Sequence, residues 1–252
     1  MIRFSLLLLL LCLVLNVESQ NFIQNGSFEE HVQCPPHHSL IKYCKGWSTA
    51  NTATPDYYNK CSNGHFMYFH YCQDAYDGDG FIGIYLYDKV DFKEREYVST
   101  NLTSPLQKDS MYVFEAYLAY PEAELQLFKL NVGFSQGELK TKTYRAYNKD
   151  WIPHLDARTK KCPIPNRLDL SYAESDPLIN GWHKVVGYYK AKGGEKILTI
   201  GLFEKEQLHE KYLNFAPYVG KEKLSLDEKM LEGKRLRSYI YLDNVSLTKQ
   251  KN

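Results

Sequence analysis

Apolar and polar side chains alternate with a period of two along much of the chain. In Tyr239-Ile240-Tyr241-Leu242-Asp243-Asn244-Val245-Ser246-Leu247, Ile240, Leu242 and Asn244 fall on one face, and Tyr239, Tyr241, Asp243 and Val245 on the other. That is the spacing of a β-strand. Leu127–Ser135 repeats it, with Phe128, Leu130, Val132 and Phe134 on one side and Lys129 and Asn131 on the other. Phe81–Tyr87, Glu96–Leu102, Met111–Tyr120 and Ser238–Thr248 read as strands, and Gly46-Trp47 opens a shorter one. Asn21–Glu30 reads as the first strand, and Gly181–Lys190 with Glu195–Phe203 as a hairpin across Lys192-Gly193-Gly194. Short strands separated by turn signals predict an all-β, antiparallel sandwich. In it the last strand lies beside the first, with Phe28 and Val245 on adjacent strands, so that edges otherwise unpaired are closed.

The rhythm breaks at several places. Cys34-Pro35-Pro36-His37-His38 is a stiff loop, since two prolines fix φ and remove donors. Asn51–Asn63 is rich in Thr, Asn, Pro and Asp and reads as a long ordered loop. Asp77-Gly78-Asp79-Gly80 lacks the remainder of an EF-hand and reads as an Asp-Gly turn feeding the next strand. Two insertions, about 140–180 and 204–237, do not fit the strand pattern. The first is irregular and carries Trp151 and Cys162; the second holds a capped amphipathic helix over Ser225–Leu231. At the start, Met1-Ile2-Arg3, the apolar run Phe4–Val17 and Ser19 have the layout of a cleaved signal peptide over 1–19. The run is shorter than a membrane span needs. Residues 20–252 are then one sandwich domain, exported to the periplasm, the cell surface or the medium.

Composition sharpens this picture in two respects. The formal net charge is +1, which gives no electrostatic reason for a nucleic-acid or anionic-membrane partner. Tyr occurs 21 times and Phe 12 times, which suits pleated strands and equally a ring-lined surface for a polar ligand. Beyond Cys12 there are five cysteines, and Cys34, Cys44, Cys61 and Cys72 cluster early in the chain. In an exported chain these four predict two disulfides, for which three pairings exist, and leave Cys162 as the odd thiol. A zinc site built from these cysteines with His37, His38, His65 or His70 has no standard ligand spacing.

Motifs for catalysis are missing: there is no Gly-x-Ser-x-Gly elbow, no His-Glu-x-x-His and no phosphate-binding glycine loop. Binding chemistry is better represented. If the first and last strands are neighbours, Glu29 and Asp243 meet, and paired carboxylates invite a hard cation such as calcium. Sugars offer C–H faces to rings and hydroxyls to Asp, Asn and Arg. Trp47, Tyr57, Tyr58, Tyr85, Tyr87, Arg95 and Trp151 are the candidates, with Asp56 and Asn59 as hydroxyl partners. Tyr57 and Tyr58 are adjacent, so a locally extended chain turns one ring to solvent. Ile84 and Leu86 face the core only if Tyr85 and Tyr87 face outward. Asn25-Gly26-Ser27, Asn101-Leu102-Thr103 and Asn244-Val245-Ser246 are formal glycosylation acceptors.

The opening Asn25-Gly26-Ser27-Phe28-Glu29 and the closing Tyr241-Leu242-Asp243-Asn244-Val245-Ser246-Leu247 resemble the calcium-dependent carbohydrate-binding modules of the galactose-binding-like β-sandwich class. Cys44-Lys45-Gly46-Trp47, Thr54-Pro55-Asp56-Tyr57-Tyr58-Asn59, Gly83-Ile84-Tyr85, Arg95-Glu96-Tyr97 and Ala191–Gly201 are similar to a version found in secreted and cell-envelope proteins of the Bacteroidetes. There it often precedes a peptidoglycan-binding domain of the outer-membrane-protein-A type. The resemblance implies a jelly-roll sandwich, a structural Ca2+ held by Glu29 and Asp243, and a Cys34–Cys61 bridge beside Cys44–Cys72. The local pairing, Cys34–Cys44 with Cys61–Cys72, stays open beside it.

Three functions compete: a non-catalytic glycan or polysaccharide binder, an envelope module with a protein partner, and a polysaccharide-acting enzyme with its site in the insertions. The first is the expectation, with Asp56, Tyr57, Tyr58, Asn59, Tyr85, Tyr87 and Arg95 in the ligand site.

Overall fold

The computed structural model describes residues 20–51, 53–62, 74–88, 95–121, 129–137, 166–171, 177–203, 218–219, 222–223 and 237–251. Its strands are β1 (Trp47–Thr49), β2 (Asp56–Asn59), β3 (Gly80–Asp88), β4 (Val98–Asn101), β5 (Met111–Ala119), β6 (Lys129–Ser135) and β7 (Arg167–Ser171). They continue with β8 (Leu178–Ile179), β9 (Trp182–Lys190), β10 (Ile197–Gly201), β11 (Tyr218–Val219), β12 (Glu222–Lys223) and β13 (Arg237–Lys249). A six-stranded sheet runs β2-β3-β13-β5-β9-β8 and a five-stranded sheet β1-β4-β10-β6-β7, with β11-β12 a separate small ribbon. All pairings are antiparallel. The chain is a β-sandwich, as its alternation predicts.

The core follows the period of two. On β5, Tyr112, Phe114, Ala116 and Leu118 point inward; on β6, Leu130, Val132 and Phe134 do the same; and on β3, Ile82, Ile84 and Leu86. Each fully buried Leu, Ile or Phe contributes about 1.5–3 kcal/mol by leaving water. Phe134 and Tyr189 stack across the sandwich with ring centroids 3.9 Å apart. Gly187 on β9 is needed for contact between the sheets, since a Cβ there would meet Leu170 and Leu168 of β7 at 2.4 and 2.6 Å.

Several expectations give way. Asn21–Glu30 is no regular strand, because Asn25 and Phe28 sit in the left-handed region at φ 50° and 60°. The Asn25 amide instead donates to the carbonyls of Glu30 and Lys45, each at 2.8 Å. The segment laces the sheets together: Phe22 N–H bonds Leu247 O, and Thr103 N–H bonds Phe22 O. Nor does β13 close an edge, for it lies between β3 and β5. Its register slips between Asp243 and Ser246, with Asn244 at φ 47°, so Val245 joins Ile240 and Leu242 in the core rather than Tyr239 and Tyr241. A bulge inverts the alternation in this way.

The predicted β9/β10 hairpin is also an arch, since β9 belongs to one sheet and β10 to the other. Gly193 and Gly194 adopt φ 99° and 85°. The buried Glu195 carboxylate accepts Lys192 N–H at 2.7 Å, Gly193 N–H at 2.8 Å and Tyr189 O–H at 2.7 Å. Strand β7 emerges from the stretch read as irregular, and Asn131, expected on the solvent side, is buried and accepts Phe203 N–H. The helix predicted over Ser225–Leu231 lies outside the described residues, as do residues 1–19.

Candidate functional site

The six-stranded sheet has a second face, turned away from the core, and the register fixes what stands on it. One row across the strands is Asp56, Gly83, Tyr241, Ala119 and Trp182; the next holds Tyr58, Phe81, Tyr117 and Lys184. Tyr58, Phe81, Trp182, Tyr239 and Tyr241 form a buried aromatic floor, with Tyr76, Tyr85 and Tyr117 packed on it and half-buried. Tyr58 stacks on Phe81 at 4.9 Å, and Phe81 and Tyr241 meet edge to face at 5.3 Å.

The loop 74–80 is strapped over this face. Asp243 Oδ2 accepts Tyr76 N–H at 2.8 Å and Asp77 N–H at 3.2 Å, and Oδ1 accepts Asn244 N–H at 2.6 Å. Glu29 Oε1 accepts Asp79 and Gly80 N–H at 2.9 and 2.8 Å. Trp182 Nε1 donates to Asp74 O at 3.2 Å, and Tyr76 stacks on Tyr117 at 3.5 Å. Gly78 is required here: its φ is 69°, and a Cβ would meet the Glu29 carboxylate at 2.4 Å.

Glu29 and Asp243 are thus brought to one loop. Among the described residues neither carboxylate has a cationic side-chain partner. Burial pushes the Asp243 carboxyl up to about 7; its amide donors pull it down, and the Glu29 charge adds to the rise. Both Asp243 oxygens and Glu29 Oε1 are taken by backbone N–H groups, so a hard cation would find Glu29 Oε2 as the carboxylate oxygen that carries no hydrogen bond among the described residues.

The predicted ligand residues fare differently. Asp56, Tyr57, Tyr58, Asn59 and Arg95 are all buried, so neither adjacent tyrosine offers a ring to solvent. The reason is that β2 lies in a sheet packed on both faces. Tyr57 enters the sandwich core and donates to Phe28 O at 2.8 Å, while Tyr58 joins the aromatic floor. Asn59 donates to Tyr57 Oη at 3.1 Å and accepts Cys61 N–H at 2.9 Å. Asp56 accepts Ser39 N–H at 2.5 Å and the hydroxyls of Tyr58 and Tyr239, which also touch each other at 2.9 Å. Gly83 leaves room for this network, as a Cβ would strike the Tyr239 hydroxyl at 1.9 Å. Burial pushes both phenols well above their ordinary value, and the Asp56 charge pushes the same way.

Tyr85 does face outward, half-buried against Tyr239 at 4.7 Å, while Ile84 and Leu86 face the core. Tyr87 lies on β3 with its side chain outside the description, and Trp151 lies outside the described residues. Trp47 is core and donates to Asn25 O at 2.9 Å.

Cys34 and Cys61 are bonded. Cys44 is not oxidised: it is a buried free thiol, which removes both the Cys44–Cys72 and the Cys34–Cys44 pairings. Its neighbours are core residues, and burial pushes the thiol well up while the Asn25 amide pulls it down. Cys72 and Cys162 lie outside the described residues, as do His65 and His70.

Three residues were not singled out by the sequence reading. Tyr117 and Tyr188 were available to it, since the alternation that sends Phe114 and Leu118 inward sends Tyr117 outward, and β9 behaves likewise. Tyr76 sits in an aperiodic loop and gives no such signal. Along β9, Lys184, Val186, Tyr188 and Lys190 face solvent, with Tyr188 62% exposed. Lys184 pairs with Glu115 at 3.1 Å beside Tyr117.

No family model matches the chain, and no curated protein matches it in sequence. Among solved structures, a cyclase from Fischerella sp. TAU is similar over 92% of this chain and 98% of its own, at 13% identity and a TM-score of 0.47. An adhesin domain of Lys-gingipain from Porphyromonas gingivalis covers 90% and 96%, at 13% and 0.40. TmCBM61, solved in complex with β-1,4-galactotriose, covers 92% and 100%, at 10% and 0.33. At such identities and scores the likeness carries no argument about chemistry.

Proposed function

We propose that the protein is an exported, non-catalytic glycan binder whose site lies on the outward face of the six-stranded sheet, over β5 and β9. The observation that carries the reading is the aromatic floor of that face, on which Tyr76 and Tyr117 pack half-buried beside the Lys184–Glu115 pair, with the exposed Tyr188 farther along β9. Rings of this kind present flat faces to sugar C–H groups, and the charged pair supplies hydroxyl partners. Tyr117 pairs with Lys184, four residues before Tyr188 on the neighbouring strand, so the backbone positions of the two tyrosines stand about 14 Å apart at about 3.3 Å per residue and about 4.8 Å between strands. That spacing suits an extended saccharide rather than a single sugar. The site is displaced from the Asp56–Asn59 region, whose side chains are committed to the interior.

A calcium ion belongs to this proposal as a structural element. Glu29, Asp243 and carbonyls of the 74–80 loop would hold it, and it would fix Tyr76 over Tyr117 by rigidifying the strap. A second reading, docking of an envelope protein, draws on the apolar side chains of the β8–β9 margin, where Leu178, Ile179 and Val186 are 57%, 42% and 42% exposed.

Titration of the purified protein against plant and envelope polysaccharides tests the first reading. Open, solvated sites bind at about −4 to −8 kcal/mol, millimolar to micromolar. Tyr117→Ala and Tyr188→Ala should each weaken binding by about 1 kcal/mol with the fold unchanged. Absence of binding, or variants that bind as well as the parent, overturns the glycan reading in favour of the protein partner.

A further inference from the structure

The stiff loop after the N-terminal segment and the end of β2 bring three soft or borderline donors together. His31 Nε2 stands 4.0 Å from Cys34 Sγ and 3.8 Å from Cys61 Sγ. Their ligand atoms all lie within 4.8 Å of one another, and all three residues are exposed. The geometry points to a second state of this cluster: with the Cys34–Cys61 bond reduced, His31, Cys34 and Cys61 bind a thiophilic divalent ion of the zinc type.

The distances are close to those such a site requires. A tetrahedral ion with metal–sulfur about 2.3 Å and metal–nitrogen about 2.0 Å sets sulfur and nitrogen about 3.5 Å apart and the two sulfurs about 3.8 Å apart. The imidazole therefore already stands within about half an ångström of its place, and the main adjustment is separation of the sulfurs by side-chain rotation. The ring is also oriented for the role. Its Nδ1 lies 3.2 Å from Glu29 O, so an Nδ1–H donated to that carbonyl leaves the Nε2 lone pair turned to the sulfurs.

Both cysteine loops are held by bonds independent of the disulfide. Ser62 Oγ donates to Pro35 O at 2.7 Å, Cys61 N–H to Asn59 Oδ1 at 2.9 Å, and Val32 N–H to Tyr43 O at 2.8 Å. The backbone thus keeps the three residues adjacent once the sulfur–sulfur bond is gone.

The chemistry balances with an external dithiol as reductant. The dithiol gives two electrons and two protons to the Cys34–Cys61 bond and becomes a disulfide itself. The ion then displaces the two thiol protons, and two thiolates with a neutral imidazole leave a site of net charge zero. Three protein ligands leave a fourth position for water or a donor from another molecule. The reverse exchange, with a disulfide as the two-electron oxidant that is itself reduced to the dithiol, re-forms the Cys34–Cys61 bond from the two thiolates and releases the ion, so occupancy reports the redox state.

Anaerobic titration with Co2+ tests this, using protein reduced by dithiothreitol and then freed of it. A Cys72→Ser/Cys162→Ser background removes two further thiols and leaves the buried Cys44. One equivalent should bind with a thiolate-to-cobalt band in the near ultraviolet and tetrahedral bands in the visible, and Zn2+ should displace it. The oxidised protein, and a Cys34→Ser variant, should show neither band. His31→Ala should weaken binding at least tenfold while its melting curve in the oxidised state matches the parent. Equal binding by His31→Ala, equal binding by the oxidised protein, or no uptake by the reduced protein, native or unfolded, overturns the proposal.

Discussion

Glu195→Gln is a sharp perturbation of the arch that carries β9 out of one sheet and into β10 of the other. The native carboxylate uses Oε1 for Tyr189 O–H and Lys192 N–H, and Oε2 for Gly193 N–H. Glutamine keeps one acceptor oxygen and turns an NH2 group toward a buried donor. One unsatisfied buried donor costs about 1–3 kcal/mol, and the remaining bonds lose the assistance of a full charge, roughly another 1 kcal/mol. The expected loss is about 2–4 kcal/mol, a fall in Tm of roughly 5–15 °C for a domain of this size. Calorimetry or circular dichroism melts measure it, with Tyr189→Phe as control. That variant removes one hydroxyl and leaves the ring to stack on Phe134, so it should lose about 1 kcal/mol. The effect has a signature in pH. Burial pushes the Glu195 carboxyl up, but the bonds from Tyr189, Lys192 and Gly193 outweigh it and hold the group below its ordinary value. A depressed native value stabilises the fold above the unfolded carboxylate range and ceases to do so as pH falls through the native value. The gap between parent and Glu195→Gln should therefore narrow on acidification below that range. A variant that melts within a degree of the parent, or a gap that does not change in acid, refutes the reasoning.

Three further outcomes are expected. Chelation should lower the parent's Tm, and Glu29→Ala or Asp243→Ala should each abolish that sensitivity; identical melts with and without chelator would remove the calcium. Cys44 should resist thiol reagents in the native protein and react on denaturation, and a native Cys44 that labels as fast as a denatured one contradicts its burial. Tyr58 and Tyr239 should stay protonated in an alkaline titration followed at the tyrosinate absorbance until the fold is lost. Their raised values stabilise the native state below the ordinary phenol value, and that contribution disappears as pH rises through the native one; in Tyr239→Phe the alkaline transition should shift.

Strand parity was legible in the sequence because a pleated, half-buried strand imposes it residue by residue. Leu130, Val132 and Phe134 face the core as predicted, and Tyr85 faces away from Ile84 and Leu86. What the sequence by itself determined was therefore an antiparallel sandwich and the inward side of most strands; Glu29 and Asp243 reach one loop, but not through the pairing of first and last strands from which their meeting was expected, since residues 21–30 form no strand. Sheet membership is a different kind of information. A Gly-Gly turn closes a hairpin or an arch equally well; here the chain passes from one sheet to the other, and Glu195 folds back onto the Lys192 and Gly193 amides within that arch. The bulge at Asn244, which moves Val245 into the core, depends on β5 lying alongside and on Gly26 O receiving the Val245 N–H. Burial of the second face was equally invisible. Tyr57 and Tyr58 look alternately exposed when β2 is read alone, yet Phe81 from the next strand and Tyr239 and Tyr241 from the last one enclose Tyr58. Local alternation fixes where a side chain points; long-range packing decides whether water is still there.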